Sequence, residues 1–387
     1  MTTPLAPDAL LARLVAFNTA SGRSNLPLIE WMADYLNVPG AAVNVLPSPD
    51  GKRANLLATI GGPAQPGAGL LLTGHTDVVP AGEAGWDTDP FVLTGHDDHW
   101  TGRGTCDMKG FVALAATTFV RQARSNLAHP LTLLLTYDEE IGTVGSRDFI
   151  EHCHKPLPTA TIVGEPTGLT AVTSHKGHLK LAINVRGVAA HSGLPDRGHN
   201  AIVPAARAVE ALHHLANRWK ASPPPSGTAF PDAPYVALNV ARIEGGQALN
   251  VIPDTCRVLV GIRTLPDTNP DQLVGEIRAA VAGALASEDW DLEVLGHSPP
   301  LAPSGATAVL QRLVALTDRP PVPGVPFSTD GGWLTRRGCT CVILGPGSMA
   351  DAHRPNEKLA KAQFIAGGLL VERAVEEFCR SGAEVQE

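Results

Sequence analysis

The chain has 387 residues, 44% of them hydrophobic and 18% charged, with a formal net charge of -8. That size and balance suit a soluble globular protein of about two to three domains. The acidic surplus argues against a nucleic-acid or anionic-membrane surface, which takes clustered Lys and Arg. No apolar window of ~18 residues marks a membrane-spanning helix.

The N-terminal stretch "MTTPLAPDALLARLVAF" has no basic start and carries Asp8 before an apolar-periodic run, so it reads as a capped helix rather than a signal peptide. The six cysteines, at 106, 153, 256, 339, 341 and 379, form no C-x-x-C pair. They read as reduced and mostly buried, and the expected compartment is the cytoplasm. "DALLARLVAF" and "LPLIEWMADYL" have helical spacing, whereas "NLLATI", "GLLLTGH", "LTLLLTYDEE" and "TIVGEP" are short apolar runs bounded by Gly, Pro or acidic turns. With the helical "MKGFVALAATTFVRQARSN" among them, they predict a mainly parallel α/β sheet covered by helices. After "HKGH" the pattern changes. "LKLAINVRG", "YVALNVARIEGG" and "CRVLVGIRTLP" alternate, and "NAIVPAARAVEALHHLANRWK" and "PDQLVGEIRAAVAGAL" are helical. The order predicts an inserted ferredoxin-like α+β domain over 179–291, with 1–178 and 292–387 forming the first domain. "ATAVLQRLVALT", "CTCVILGPG" and "KAQFIAGGLLVERAVEEFCR" then read as helix, buried strand and closing helix.

Ligand-type residues recur at the strand ends. "LLLTGHTD" ends on His75 and Asp77, "LTLLLTYDEE" on Asp138, Glu139 and Glu140, and "ATIVGEP" on Glu165, while His353 follows "CVILGPGSMADA". Asp107, in "GRGTCDMKG", precedes a helix. Parallel sheets bind ligands beyond the carboxyl ends of their strands. His75, Asp107, Glu140, Glu165 and His353 are too many donors for one four-coordinate zinc and suit two divalent ions bridged by a carboxylate. Neighbouring residues on a strand face opposite ways, so if Glu140 binds metal, Glu139 is free to act as a general base towards a water of lowered pKa. Asp77 is placed to orient the His75 imidazole.

The pieces "GHTDVVP", "GRGTCDMKG", "DEEIG", "GEPT", "AAHSG" and "GPGSMADAHRPNE" together span nearly the whole chain. In them the sequence resembles the di-zinc hydrolase family that includes acetylornithine deacetylase, succinyl-diaminopimelate desuccinylase, aminoacylases and glutamate carboxypeptidases. The resemblance implies His75, Asp107 and Glu165 on one metal, Asp107, Glu140 and His353 on the other, and Glu139 as base. It also implies a lid that makes a homodimer. His191 in "GVAAHSG" would then reach the partner subunit's active site to stabilise the oxyanion, and Asn250 and Arg263 would hold the substrate, the guanidinium clamping its carboxylate. Zinc is the implied metal, with cobalt able to substitute.

Within the family, "FNTASGRSNLPLIEWM", "HKGH" and "GPGSMADAHRPNEKL" look most like the acetylornithine-deacetylating branch, which implies arginine biosynthesis. Two departures bear on specificity. "FSTDGG", with Thr329 and Asp330, stands where that branch usually carries Thr-Glu, and Gly261 replaces an acid common before the Arg. Asp330 is expected either to attract the δ-ammonium of ornithine or to cap the turn before Gly331 and Gly332. The remaining alternatives are a deacylase of another N-acyl amino acid such as acetylcitrulline or succinyl-diaminopimelate, a metallo-carboxypeptidase or dipeptidase, and a non-catalytic binding protein. "EHCHK" is expected at a helix end, and His96 and His99 in a surface hairpin.

Overall fold

The structure is a computed structural model that describes residues 4–62, 67–302 and 307–380. The chain divides into two compact units, one of residues 1–173, 303–322 and 329–387 and the other of 174–302 and 323–328.

In the first unit, α1 (Pro7–Val15) and α2 (Leu26–Leu36) lead into the strands β1 (Ala42–Pro47), β2 (Ala54–Ile60) and β3 (Gly67–His75). The short β4 (Thr94–Gly95) and β5 (His99–Thr101) precede α3 (Gly110–Gln122), β6 (Leu131–Thr136), α4 (Val144–His152) and β7 (Pro158–Pro166). α1 does not start on an Asp8 cap. Pro7, whose missing N–H costs nothing at a helix start, opens it, and Asp8 lies in the first turn.

The second unit runs β8 (Gly177–Arg186), α5 (Ile202–Ala221), β9 (Ala237–Gly245), β10 (Thr255–Thr264), α6 (Pro270–Ala284) and β11 (Asp289–Ser298). Its sheet is antiparallel in the order β11-β8-β10-β9. Leu179, Leu181, Ile183 and Val185 alternate inward from β8, as do Val258, Val260 and Ile262 from β10, and all pack against α5 and α6. This is the ferredoxin-like arrangement expected from the order of elements.

The chain then forms α7 (Ala308–Val314), α8 (Gly331–Leu334), β12 (Thr340–Gly345), β13 (Lys358–Ala360) and α9 (Lys361–Val375), all in the first unit. The large sheet has the order β1-β2-β6-β3-β7-β12, in which β6, β3, β7 and β12 are parallel and β2 runs antiparallel to both its neighbours, β1 and β6. β6 and β12 are buried at every position, which is why "LTLLLT" and "TCVILG" lack alternation. Leu131, Leu133 and Leu135 join α1, α2, α3 and α9 in one core. Gly164 lets β7 lie against α3, because a Cβ there would stand 1.9 Å from the Phe111 ring. A small sheet, β13-β5-β4, ties the end of the His353 loop to the hairpin before Asp107.

All six cysteines are buried and unbridged. Among the described residues no helix is long and apolar enough to cross a membrane. α4 ends at His152, so "EHCHK" is a helix end, and His96 and His99 stack at 4.4 Å in the β4–β5 hairpin.

Candidate active site

The parallel strands deliver polar residues to one edge of the sheet. β3 ends on His75, the "DEE" turn follows β6, and Glu165 lies next to the end of β7. Asp107 sits on the turn before α3, and His353 follows β12 with φ 57°, a left-handed backbone that His tolerates better than most side chains.

Asp107 joins the two imidazoles. Its Oδ1 lies 2.9 Å from His75 Nε2 and its Oδ2 3.1 Å from His353 Nε2. Glu165 Oε1 stands 3.9 Å from His75 Nε2, and Glu140 Oε1 3.0 Å from His353 Nε2. Donor atoms of His75, Asp107 and Glu140 fall within 4.8 Å of one another, as do those of His75, Glu139 and Glu165. By distance alone, therefore, Glu139 could also reach a metal.

The electrostatics fit a site for cations. Burial, and then the Glu165 charge, pushes Glu139 well above the usual carboxylate range. Burial and the Asp107 charge raise Glu165 and Glu140 in the same direction. Burial opposes the charge on Asp107 too, but the hydrogen bonds with His353 and His75 outweigh it and hold its carboxyl low. Burial also disfavours protonation of His75, yet its Asp107 bond and the surrounding acids raise it well above normal, and His353 is raised to about 10 by its bonds with Asp107 and Glu140. Such a cluster draws in positive charge, and divalent cations held by imidazole and carboxylate donors supply it without protons.

Asp77 works differently from expectation. The His75 Nδ1 bonds the Asp77 backbone carbonyl at 2.9 Å, whereas the Asp77 carboxylate lies 3.6 Å away. That carboxylate accepts the Glu139 and Glu140 amides at 3.0 and 3.3 Å and the Ser21 hydroxyl at 2.8 Å. One residue therefore orients the imidazole through its main chain and the "DEE" turn through its side chain.

Asp330 and Thr329, expected at the substrate, are both buried. The Asp330 carboxylate is buried and accepts the Thr136 and Ser146 hydroxyls, both at 2.5 Å. It makes no side-chain cap on α8 either. Thr329 is wholly buried, with its hydroxyl oxygen accepting the Gly331 amide at 3.1 Å. Both belong to the packing beneath the acidic turn.

In the second unit, His191 is exposed and its Nδ1 accepts the Gly193 amide at 3.0 Å. Its loop pairs with the Asn250 segment, where the Ser192 amide donates to the Asn250 carbonyl at 2.9 Å. Arg263 lies at the other end of β10, opposite His178, while Thr255 faces Arg186 at the loop end. Eight strand steps of ~3.3 Å put ~26 Å between these ends. Glu357 and Arg103 are not among the candidates that position at a strand end marks. Both stand inside motifs already quoted, "HRPNE" and "GRGTCD", and both are buried charged residues.

A model of the peptidase family M20/M25/M40 matches residues 71–377. The chain belongs to this family. It is 35% identical, over 94% of its length and 94% of the relative's, to a protein of Erwinia tasmaniensis named acetylornithine deacetylase. Two solved structures share the family fold. An M20 family metallo-carboxypeptidase from Sulfolobus solfataricus superposes with a TM-score of 0.79 at 16% identity, over 97% of this chain and 99% of that one. A dinuclear metal binding peptidase of Bacillus subtilis gives 0.61 at 15%, over 96% and 99%. Membership makes the chain an enzyme, a hydrolase of the metallopeptidase and amidohydrolase type.

Proposed function

We propose that the protein hydrolyses Nα-acetyl-L-ornithine to L-ornithine and acetate, a step of arginine biosynthesis. The observation that carries the reading is Asp107, whose two oxygens each meet one imidazole, the arrangement of a carboxylate shared by two cations. His75, Asp107 and Glu165 would hold one cation, and Asp107, Glu140 and His353 the other. The name of the Erwinia tasmaniensis relative supports the substrate.

When bound, two divalent ions, zinc or cobalt in its place, supply a water of lowered pKa and polarise the amide carbonyl. Glu139 takes the proton of the attacking water and hands it to the leaving nitrogen. Asp77 fixes the Glu139 amide, and with it the direction of the carboxylate. Arg263 clamps the substrate's α-carboxylate. His191 and Asn250 share one loop cluster far along β10 from Arg263, which supports the reading that they serve the site of a partner subunit in a homodimer made through the second unit, the lid.

A second reading has a specific observation behind it. With Asp330 held by two hydroxyls, no ammonium-binding role falls to it, and a deacylase of another N-acyl amino acid, such as acetylcitrulline, keeps the same chemistry. Steady-state hydrolysis of acetylornithine, acetylcitrulline, acetylmethionine, succinyl-diaminopimelate and a dipeptide, with zinc or cobalt present, separates the readings. The proposal expects kcat/KM for acetylornithine to lead by about tenfold, a differential of ~1.4 kcal/mol in transition-state binding. A lead for any other member reassigns the substrate.

A further inference from the structure

Three segments, those that follow or carry His75, Asp107 and His353, meet at one buried ion pair. Arg103 and Glu357 have side chains that are each 1% exposed, with Nη1 of the arginine 3.0 Å from Oε2 of the glutamate. The same Nη1 donates to the Arg354 carbonyl at 3.3 Å, and Nη2 donates to the Pro80 carbonyl at 3.2 Å and to the Glu83 carboxylate. The guanidinium lies 5.0 Å from the centre of the Trp86 ring. Glu357 turns to the third loop. Its Oε2 accepts the Gly104 amide at 3.0 Å, and its Oε1 accepts the Cys106 amide at 2.8 Å and the Asp107 amide at 3.0 Å. The pair thus joins the segment after His75, the Asp107 turn and the His353 loop.

A buried ion pair is a poor way to gain stability, since desolvation offsets its attraction, and its best-supported use is to specify one arrangement. Here the arrangement specified is that of the Asp107 turn. Three main-chain donors on one carboxylate make charge-assisted bonds, and the last belongs to the residue whose side chain reaches both imidazoles. Freed of Glu357, the turn would leave three buried amides without an acceptor and Asp107 free to rotate off one imidazole.

We propose that Glu357 is the positioning residue for Asp107, holding its turn against the His353 loop so that one carboxylate reaches both imidazoles. The inference rests on the two-cation reading above.

The test is made on full-length protein stripped by chelator, by zinc competition against a chromogenic chelator and by the visible spectrum of the cobalt form. Glu357→Gln keeps one acceptor but sets an amide NH2 against either the Arg103 guanidinium or the main-chain donors. It should weaken zinc binding by at least about tenfold, the usual cost of losing a partner that orients a ligand. The cobalt spectrum should change with it. Leu370→Ala, in the α9 core, should lower the melting temperature and leave both readouts alone, which separates positioning from general loss of stability. If Glu357→Gln does not fold, Arg103→Lys decides. It keeps the amide bonds to Glu357 but loosens the pair, and should weaken zinc by at least about threefold. Zinc affinity within about twofold of the wild type and an unchanged cobalt spectrum, in whichever variant folds, would overturn the proposal. Wild-type protein that holds neither metal would overturn the two-cation reading itself, and the inference with it.

Discussion

Asp107, Asp77 and Asp330 show how three residues of one type divide their work by direction alone. Asp107 faces both imidazoles, Asp77 turns its carboxylate to the Glu139 and Glu140 amides, and Asp330 points into the fold onto Thr136 and Ser146. Asp330→Asn swaps one acceptor for a donor facing two hydroxyls, and should cost about 1–3 kcal/mol of stability. The ratio of kcat/KM for acetylornithine to that for acetylcitrulline should not move. A shift in that ratio of about tenfold, or ~1.4 kcal/mol, would return Asp330 to the substrate. The gathering of His75, Asp107, Glu140, Glu165 and His353 was legible in sequence because each follows an apolar strand or opens a helix. The aim of Asp77 and Asp330 was not, because a loop residue's direction depends on partners distant in the chain. Ser146 is 184 residues from Asp330, and the Glu357 amide donors lie some 250 residues from it.

Among the elements, continuous apolar runs and alternating ones separated the two sheets in the sequence, since burial on both faces and burial on one leave different periods. What the period does not report is a buried polar side chain near a strand start. His175, just before β8, is fully buried, with Nδ1 2.9 Å from the Lys176 carbonyl. Burial, and secondarily the nearby Arg263 charge, lowers its pKa to about 4. A histidine lowered in the folded state adds stability that is complete above its unfolded value of ~6.5 and is lost as pH falls towards the folded value. The metal-free protein should therefore lose thermal stability between pH ~6.5 and about 4. In His175→Gln that acid loss should be smaller than in the wild type. An identical pH profile in the two proteins would exclude His175 as a source of it.

For the whole molecule, the decisive feature is the length of β10, which keeps Arg263 ~26 Å from Thr255, the end that leads to the Asn250 loop. That separation supports the proposal that His191 and Asn250 serve the site of a second copy. Glu139→Ala and His191→Ala homodimers should both be nearly inactive, while co-expressed chains regain turnover at the one site in each mixed dimer that has both groups. No recovery in verified mixed dimers would confine His191 to its own chain or remove it from the reaction. That pairing rested on resemblance in the sequence, since a single chain carries no direct sign of its partner.

The central claim, two cations shared through Asp107 with Glu139 as a separate base, is tested most directly by metal content measured together with turnover in the wild type and Glu139→Ala. The account predicts two ions per chain in both proteins and a loss of kcat of about 100-fold to 10,000-fold in the variant, the range for removal of a general base. A variant that keeps its turnover, or that drops to one ion per chain, would contradict it. The loss of an ion would make Glu139 a ligand, as its place within 4.8 Å of the His75 and Glu165 donors allows.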